Sequence, residues 1–431
     1  MGAIRTIGEL TSKIGSGATP RGGKDSYASR GVALIRSQNV HDFYFSEEGL
    51  AFIDEEQARR LNGVTVEEGD VLLNITGDSI ARVCKVPSSV LPARVNQHVS
   101  IIRCKDKEDS DFLLCYLVNL KPHLLQICGV GGTRNALTKT AIEQLPLFLP
   151  KGYRHAAEQI ACVSDKIALN TRINAELEAM AKLLYDYWFV QFDFPNAKGK
   201  PYKSSGGAMV YNAELKREVP EGWEVKPLER IAHLIMGQSP KGASYNTEGN
   251  GMPLVNGAAD YKNGMLAPET WTSEPTRTCI KDDLVFCSRA TIGNLTIAED
   301  TFCIGRCISA VRPTDPKASE FLFFGLLNEL ERFKRQAPGS IIKGITRDDL
   351  RDAPFLMPGG EVLKRYHAAA FPMFQKIRLN KLENQELTTL RDWLLPMLMN
   401  GQVVVGEAEE NVGLAMAAEG QVKYGSNSRE Q

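Results

Sequence analysis

Short loops that combine Arg, Gln and Asn are the segments of this sequence best suited to recognising a partner. The clearest are RSQN at residues 36–39 and TRNALTK at residues 133–139. Arg makes bidentate contacts with guanine edges, whereas Gln and Asn make them with adenine edges, so such loops suit double-stranded DNA. The residues predicted to contact DNA are Arg21, Lys24, Arg36, Ser37, Gln38, Asn39, Arg134, Asn135, Thr138, Lys139, Lys241, Asn256, Arg289, Lys343, Thr346 and Arg347.

Each of these residues, taken singly, has a second interpretation as an ordinary solvated side chain. Arg and Lys that bind phosphate look like any other exposed charge in a sequence. The net charge of −1 does not choose between the two, because it would conceal a local basic face. Only the fact that several such residues are grouped in the same loops favours the interpretation as DNA-binding residues.

Motifs for catalysis and for nucleotide binding are missing from the sequence. It has no GxxxxGK[ST] loop, no GxGxxG turn after a strand and no GxSxG elbow. It also lacks the Asn/Asp-Pro-Pro-aromatic tetrapeptide with which amino-methyltransferases hold a flipped base. The run GVGGT at 129–133 follows no strand and is interpreted as a flexible loop. These absences favour a binding protein that performs no chemistry itself.

The cysteines offer a metal site only as a weaker alternative. There are nine, none in a CxxC pair, and Cys84, Cys104, Cys303 and Cys307 lie in apolar runs typical of buried strands. Four cysteines lie between Cys279 and Cys307, but their spacing matches no zinc knuckle. We therefore expect buried free thiols, and we predict no metal.

The order of its motifs indicates that the chain contains an internal duplication. The stretch NALTKTAIEQLPLFLP corresponds to a later stretch, KGITRDDLRDAPFLMP. In both, a Thr and a basic residue precede an apolar run that ends in Pro. Further pairs keep the same order, with shifts between 208 and 220 residues. The pairs are 15–23 with 235–243, 31–40 with 251–260, 67–86 with 280–298, 95–103 with 304–312, and 135–150 with 343–358.

A long helix with a heptad seam is predicted after each copy. Apolar residues alternate at spacings of three and four, and both copies place two Asn in the seam, where Asn fixes the register of paired helices. Two unrelated amphipathic helices are the alternative. The seam residues are Ile160, Val163, Ile167, Asn170, Asn174, Leu177, Ala181 and Leu184, then Ala370, Met373, Ile377, Asn380, Asn384, Leu387, Arg391 and Leu394. About 29 helical residues would form a rod of about 43 Å, roughly a dozen base pairs of DNA.

These features together predict a mixed α/β protein with two similar globular domains. The predicted segments are a domain at 1–150, a helix at 151–192, a linker at 193–222, a domain at 223–358, a helix at 359–400 and a disordered tail at 401–431. No apolar run approaches the roughly 20 residues of a membrane span, and the start lacks the apolar region of a signal peptide. We therefore expect a cytoplasmic protein.

From residue 1 to about 400 the chain resembles the specificity subunit of type I restriction–modification systems. The resemblance depends on the repeat order, on ALTKTAIEQLPLFLP before a helix, and on RSQNV and VNQHV. Its most specific part is WFVQFDFPNAKGKPYKSSGGAMV with REVPEGWEV, which lie within residues 188–226. The second copy departs from the pattern, because VNGA replaces IRSQ and IGRC replaces NQHV.

This resemblance implies two target-recognition domains and an antiparallel coiled coil, which together bind a bipartite site in duplex DNA. It implies docking of two modification subunits that methylate adenine N6 with S-adenosylmethionine, and of restriction subunits that use ATP and Mg. The chain itself is then a non-catalytic subunit without a bound cofactor. The alternative is a scaffold whose paired domains and helices bind proteins rather than DNA.

Overall fold

The computed structural model describes residues 3–129, 136–289, 291–336 and 344–403, which fall into two units. The first unit contains the chain up to Leu169 together with the segment from Asn384 onward, and the second unit is Asn170–Glu383. Both units combine small β-sheets with helices, which confirms the predicted mixed α/β class with two β-rich domains. The two long helices, Tyr153–Tyr185 and Gly360–Met399, each contribute residues to both units.

Two four-stranded sheets form the centre of the first unit. One is antiparallel, in the order Thr11–Ser16, Val99–Cys104, Val71–Asn74, Val83–Lys85. The other has the order Ala51–Ile53, Val32–Ile35, Ala93–Val95, Thr65–Val66, and its two central strands are parallel. Shorter pairs join Ala3–Thr6 to Pro146–Leu149 and Val40–His41 to Tyr44–Phe45. Besides the long helices, the α-helices are Ile7–Leu10, Glu55–Arg60, Ser110–Asn119, Lys121–Gly129 and Lys139–Glu143.

The second unit repeats this architecture. Its antiparallel sheet has the order Ala232–Met236, Ile308–Pro313, Leu284–Cys287, Gly293–Ile297. Its other sheet has the order Tyr245–Asn246, Trp271–Thr272, Met252–Val255, Phe302–Ile304, Thr278–Cys279, and again a central pair is parallel. Shorter pairs join Glu224–Pro227 to Pro354–Met357, Met209–Asn212 to Arg217–Pro220, and Tyr261–Lys262 to Met265–Leu266. The other α-helices are Ser319–Gln336 and Arg347–Arg351.

The repeated stretch at the end of each domain has the same local structure in both units. Thr138 and Thr346 each cap the N-terminus of a short helix, accepting a hydrogen bond from the backbone three residues later. The apolar residues that follow form a strand, which pairs with Ala3–Thr6 in the first unit and with Glu224–Pro227 in the second. The repeated stretch therefore joins the end of each domain to its beginning, just before a long helix starts.

An ion pair with a buried carboxylate occurs at equivalent places in the two antiparallel sheets. Asp70 accepts two hydrogen bonds from Arg103, at 2.7 and 2.9 Å, and Asp283 accepts two from Arg312 at the same distances. Both carboxylates are fully buried, and each also accepts a backbone N–H from the turn that precedes it. Hydrogen bonding to the carboxylate raises the pKa of Arg103 and of Arg312. Each ion pair therefore joins the start of one strand to the neighbouring strand of the same antiparallel sheet.

The segment predicted as a linker, 193–222, is folded into the second unit. Phe194 stacks between Tyr202 and Trp223, with ring centroids 4.5 and 5.2 Å away. The hairpin Met209–Asn212 with Arg217–Pro220 follows, and its Val219 is buried in the same apolar cluster. The Gly, Pro, Ser and Lys content conceals this order, because the aromatic residues that anchor the segment are few and widely spaced. Only residues 401–403 of the predicted tail lie within the described part of the chain.

Within each unit the long helices pair in antiparallel fashion, as expected. In the first unit Ile160 shares an apolar cluster with Leu395 and Leu398, and Asn384 donates to the backbone oxygen of Ile167 at 3.3 Å. The early part of one helix thus meets the late part of the other. Every predicted seam residue is buried or half-buried.

Seam asparagines form polar contacts between the long helices of the second unit, where Lys381 and Glu178 also form an ion pair at 3.6 Å. The Nδ2 of Asn380 donates to the Oδ1 of Asn174 at 2.8 Å, and both residues are buried. Asn170 donates to Glu383 at 2.7 Å. A buried amide is satisfied only in the correct register, so these contacts disfavour a shifted pairing of the helices.

Replacing one partner of the buried Asn pair should cost more than replacing both. Asn380→Leu leaves the amide of Asn174 buried without its donor, so we expect the free energy of unfolding to fall by about 1–3 kcal/mol. Asn174→Leu combined with Asn380→Leu should recover most of that loss through apolar contact. Urea unfolding of the full chain measures both effects, with the exposed Leu379→Ala as control. Additive losses in the double variant would contradict the pairing.

Candidate nucleic-acid interface

Loops from separate parts of the first unit converge at one edge of its sheets. The parallel strands Val32–Ile35 and Ala93–Val95 end side by side, and the N–H of Asn96 donates to the oxygen of Ile35 at 3.0 Å. Further backbone bonds join Gly17 to Asn96 at 3.1 Å and Leu137 to Ile75 at 2.9 Å. We call this surface the first loop face; it consists of residues 17–22, 36–39, 75–79, 96–98 and 136–138.

The second unit builds an equivalent surface with equivalent bonds. Gly305 donates to the oxygen of Val255 at 2.8 Å, and Gly237 donates to that of Ile308 at 3.0 Å. Ile345 donates to the oxygen of Ser288 at 2.8 Å. We call this surface the second loop face; it consists of residues 237–242, 256–260, 288–289, 305–307 and 344–346.

A glycine holds the first loop of each face against the neighbouring backbone. A Cβ on Gly17 would lie 1.8 Å from the oxygen of Val95, and one on Gly237 would lie 2.2 Å from that of Gly305. No side chain fits at these distances, so only glycine permits the approach. The paired segments 15–23 and 235–243 contain GATP and GQSP, and the glycine that begins each of these two motifs has this steric cause.

The RSQN loop divides into braced and exposed residues. Asn39 is buried, and its side chain accepts from the N–H of Arg36 at 3.0 Å and donates to the oxygen of Ser46 at 2.9 Å. Its amide is therefore occupied in holding the loop, contrary to the expectation that it faces DNA. Arg36 is half-buried, lies over the ring of Tyr27 at 5.2 Å and donates to a backbone oxygen. Gln38 is exposed.

The other predicted contact residues lie at several places. The hydroxyls of Thr138 and Thr346 cap helices, and the predicted DNA contact of these two residues stays a prediction. The residues that are exposed on or beside the two faces are Arg21, Lys139, Lys241, Arg289 and Arg347, whereas Ser37 and Asn256 are half-buried. The backbone of Lys24 lies in the turn Gly23–Ser26. Arg134, Asn135 and Lys343 lie outside the described residues.

A row of hydrogen-bonded side chains crosses the first loop face and was not among the predicted contacts. Thr19 bonds to the Oε1 of Gln97 at 2.5 Å, and the Nε2 of Gln97 lies 2.9 Å from the Nε2 of His98. The Nδ1 of His98 lies 2.5 Å from the hydroxyl of Thr76. We call these four residues the polar row. The signal for it was the segment VNQHV, whose residues meet Thr19 and Thr76 only in the folded chain.

The described cysteines are free, and most of them are buried. Burial raises the pKa of Cys104 and of Cys279 to about 12, so both thiols stay protonated at neutral pH. Cys307 is half-buried in a loop rather than in a strand, because the strand begins at Ile308. Among the described residues, no three or more His, Cys, Asp or Glu side chains are grouped closely enough for a metal ion. No helix in this part of the chain is both long and apolar enough to cross a bilayer.

Comparisons with known proteins agree with the resemblance noted from the sequence. Residues 220–389 match a family model described as type I restriction modification DNA specificity domain. The chain is 23% identical to the putative type I restriction enzyme MjaX specificity subunit of Methanocaldococcus jannaschii, over 93% of each chain. It is 23% identical to the MjaIX specificity subunit of the same organism, over 94% of this chain and 93% of that one.

One solved structure has the same fold. It is the crystal structure of the type I restriction–modification S subunit from M. genitalium, which is 14% identical. The match has a TM-score of 0.60 and covers 92% of this chain and 96% of that one. This match shows the fold, and the family model together with the two M. jannaschii relatives confirms the predicted resemblance to specificity subunits.

Neighbouring residues of the RSQN loop should differ sharply in their effect on stability. Asn39→Ala leaves three backbone groups of the loop without their partner, so we expect a loss of about 1–3 kcal/mol in the free energy of unfolding. Gln38→Ala, one residue away and exposed, should change it by less than about 0.5 kcal/mol. Urea titration of both variants checks this. Equal losses would show that Asn39 is not a brace.

Proposed function

We propose that this chain, a relative of the specificity subunits of type I restriction–modification systems, recognises a bipartite site in double-stranded DNA. It would carry two modification subunits and, in the complete enzyme, restriction subunits. The observation that supports this most directly is the loop face, built twice in one chain from equivalent backbone bonds. A site in two parts needs two such surfaces.

The exposed side chains of both faces suit this task. The first face has Arg21, with Lys139 just beside it, and the second has Lys241 and Arg289, with Arg347 just beside it. Cationic side chains supply the phosphate contacts that position a protein on DNA, and Arg also contacts guanine edges. The second face has in addition the exposed Arg306, a residue that the sequence motifs did not single out.

We propose a division of chemistry in which this chain binds and does not catalyse. S-adenosylmethionine would be held by the modification subunits, and ATP with Mg by the restriction subunits. The sequence supports the division, because motifs for either chemistry are absent from it. The chain then contributes target choice alone.

Exposed apolar residues on the long helices support a docking role. Met180 and Leu183 are 53% and 67% exposed in the second unit, and Leu390 and Trp393 are 44% and 62% exposed in the first. These pairs are related by the same shift of 210 residues that relates the two seams. Such side chains are costly to leave in water. Their repetition favours one copy of the same partner at each unit, and we propose the modification subunit.

The proposed function is tested with the full chain expressed together with its modification subunits. We expect methylation of one split motif and binding whose affinity falls steeply with salt, because phosphate contacts release counterions. Lys241→Ala with Arg289→Ala should weaken binding, whereas Arg332→Ala, on the helix Ser319–Gln336, should not. Binding without sequence preference, together with no methylation of any duplex, would contradict the proposal. If the loop variants bind DNA as the wild type does and still recruit a partner protein, the alternative of a scaffold that binds proteins would be favoured.

The docking surface makes a separate prediction about stoichiometry. Leu183→Glu alone and Trp393→Glu alone should each reduce the complex from two modification subunits to one, because a charge would be buried against the partner. The combined variant should bind none. Light scattering of the purified complexes measures their mass, and Val210→Glu, at another exposed apolar position, is the control. Two bound subunits in the combined variant would place the docking site elsewhere.

A further inference from the structure

We propose that Gln97 determines specificity in the first loop face by contacting an adenine, and that Arg306 takes the equivalent place in the second face for a guanine. This inference rests on the proposed function, because it assumes that the loop faces meet DNA. The difference between Gln97 and Arg306 would then determine which base is recognised at the equivalent position of each half-site.

The polar row fixes the orientation of the Gln97 side chain. The hydroxyl of Thr19 donates to its Oε1, and its Nε2 donates to the Nε2 of His98. The Nδ1 of His98 bonds in turn to the hydroxyl of Thr76, and the neutral imidazole with its hydrogen on Nδ1 satisfies both contacts. The main-chain N–H of His98 is held in turn by the Oδ1 of Asn96 at 3.0 Å, and Asn96 is buried. Each donor in the row thus faces an acceptor.

The row leaves Gln97 with the groups that adenine requires. A carboxamide has two lone pairs on oxygen and two N–H donors, and the row uses one of each. The remaining lone pair and N–H match the N6 donor and N7 acceptor that adenine presents in the major groove. Gln97 is an exposed residue, so a partner can approach its side chain. A side chain that is already ordered loses less conformational entropy when it binds.

The second loop face replaces the neutral row with cations. Equivalent strands place Arg306 where the first face has Gln97, and Arg289 where it has Thr76. Ser239 stands in the place of Thr19, but its Oγ accepts from the backbone N–H of Arg306 at 3.2 Å instead of holding a side chain. Arg306 is an exposed residue, and the paired N–H donors of its guanidinium suit the O6 and N7 acceptors of guanine.

The test is a selection from duplexes with randomised half-sites, performed with the full chain and its modification subunits. We expect Gln97→Ala to lose its preference for adenine at one position of one half-site, by about 5- to 150-fold, while the other half-site is unchanged. Arg306→Ala should lose a guanine preference in the other half-site only. An unchanged motif in either variant, or an equal loss of affinity for all sequences, would overturn the inference.

A second pair of variants tests the positioning by the row. Thr76→Val keeps the side-chain shape but removes the hydroxyl that bonds to His98, so the adenine preference at the same position should fall, and Thr76→Ser should restore it. A merely structural role for Thr76 would instead lower the thermal midpoint and weaken both half-sites together, which would overturn the positioning role. Selection of no motif by the wild-type complex would contradict the proposed function itself.

Discussion

The parallel pairing of two short strands is the constraint on which each loop face depends. Val32–Ile35 runs beside Ala93–Val95, and Met252–Val255 runs beside Phe302–Ile304, among neighbours that are otherwise antiparallel. Parallel strands end at the same edge, so the loops that follow them emerge together although about 60 residues separate them in the first unit. The Asp–Arg pair then joins two strands of the adjacent antiparallel sheet in each unit, where leaving the buried carboxylate without its Arg would be unfavourable.

The sequence predicted those parts of the structure that have a period or a repeat. The seam residues recur every three or four positions, and every one of them is buried or half-buried in the paired helices. The duplicated strands kept their order, and the two units share it. The aromatic anchors Phe194, Tyr202 and Trp223 have no such period. Their packing could not be predicted from a segment whose composition is that of a loop.

The residues of the candidate site were predicted less well, for a physical reason. Residue type shows which side chains are able to contact a base, but the number of hydrogen bonds already used inside the fold decides which ones are available. Asn39 and Gln38 are adjacent and chemically alike, yet one is fully bonded inside its loop and the other is exposed. His98 and Thr76 are 22 residues apart, and only the meeting of their loops brings them into one row.

The backbone contacts that hold Gly17 and Gly237 carry a consequence for how such a protein can change. In each face the first loop is fixed to its neighbour by main-chain hydrogen bonds and by a glycine whose lack of a side chain permits the close approach. These main-chain contacts do not involve the side chains of Gln97 and Arg306, so a substitution of either residue can leave the course of the chain unaltered. Main-chain atoms hold the loops in place, whereas exposed side chains would choose the target. A lineage could therefore acquire a new target by substitution while it keeps the same fold.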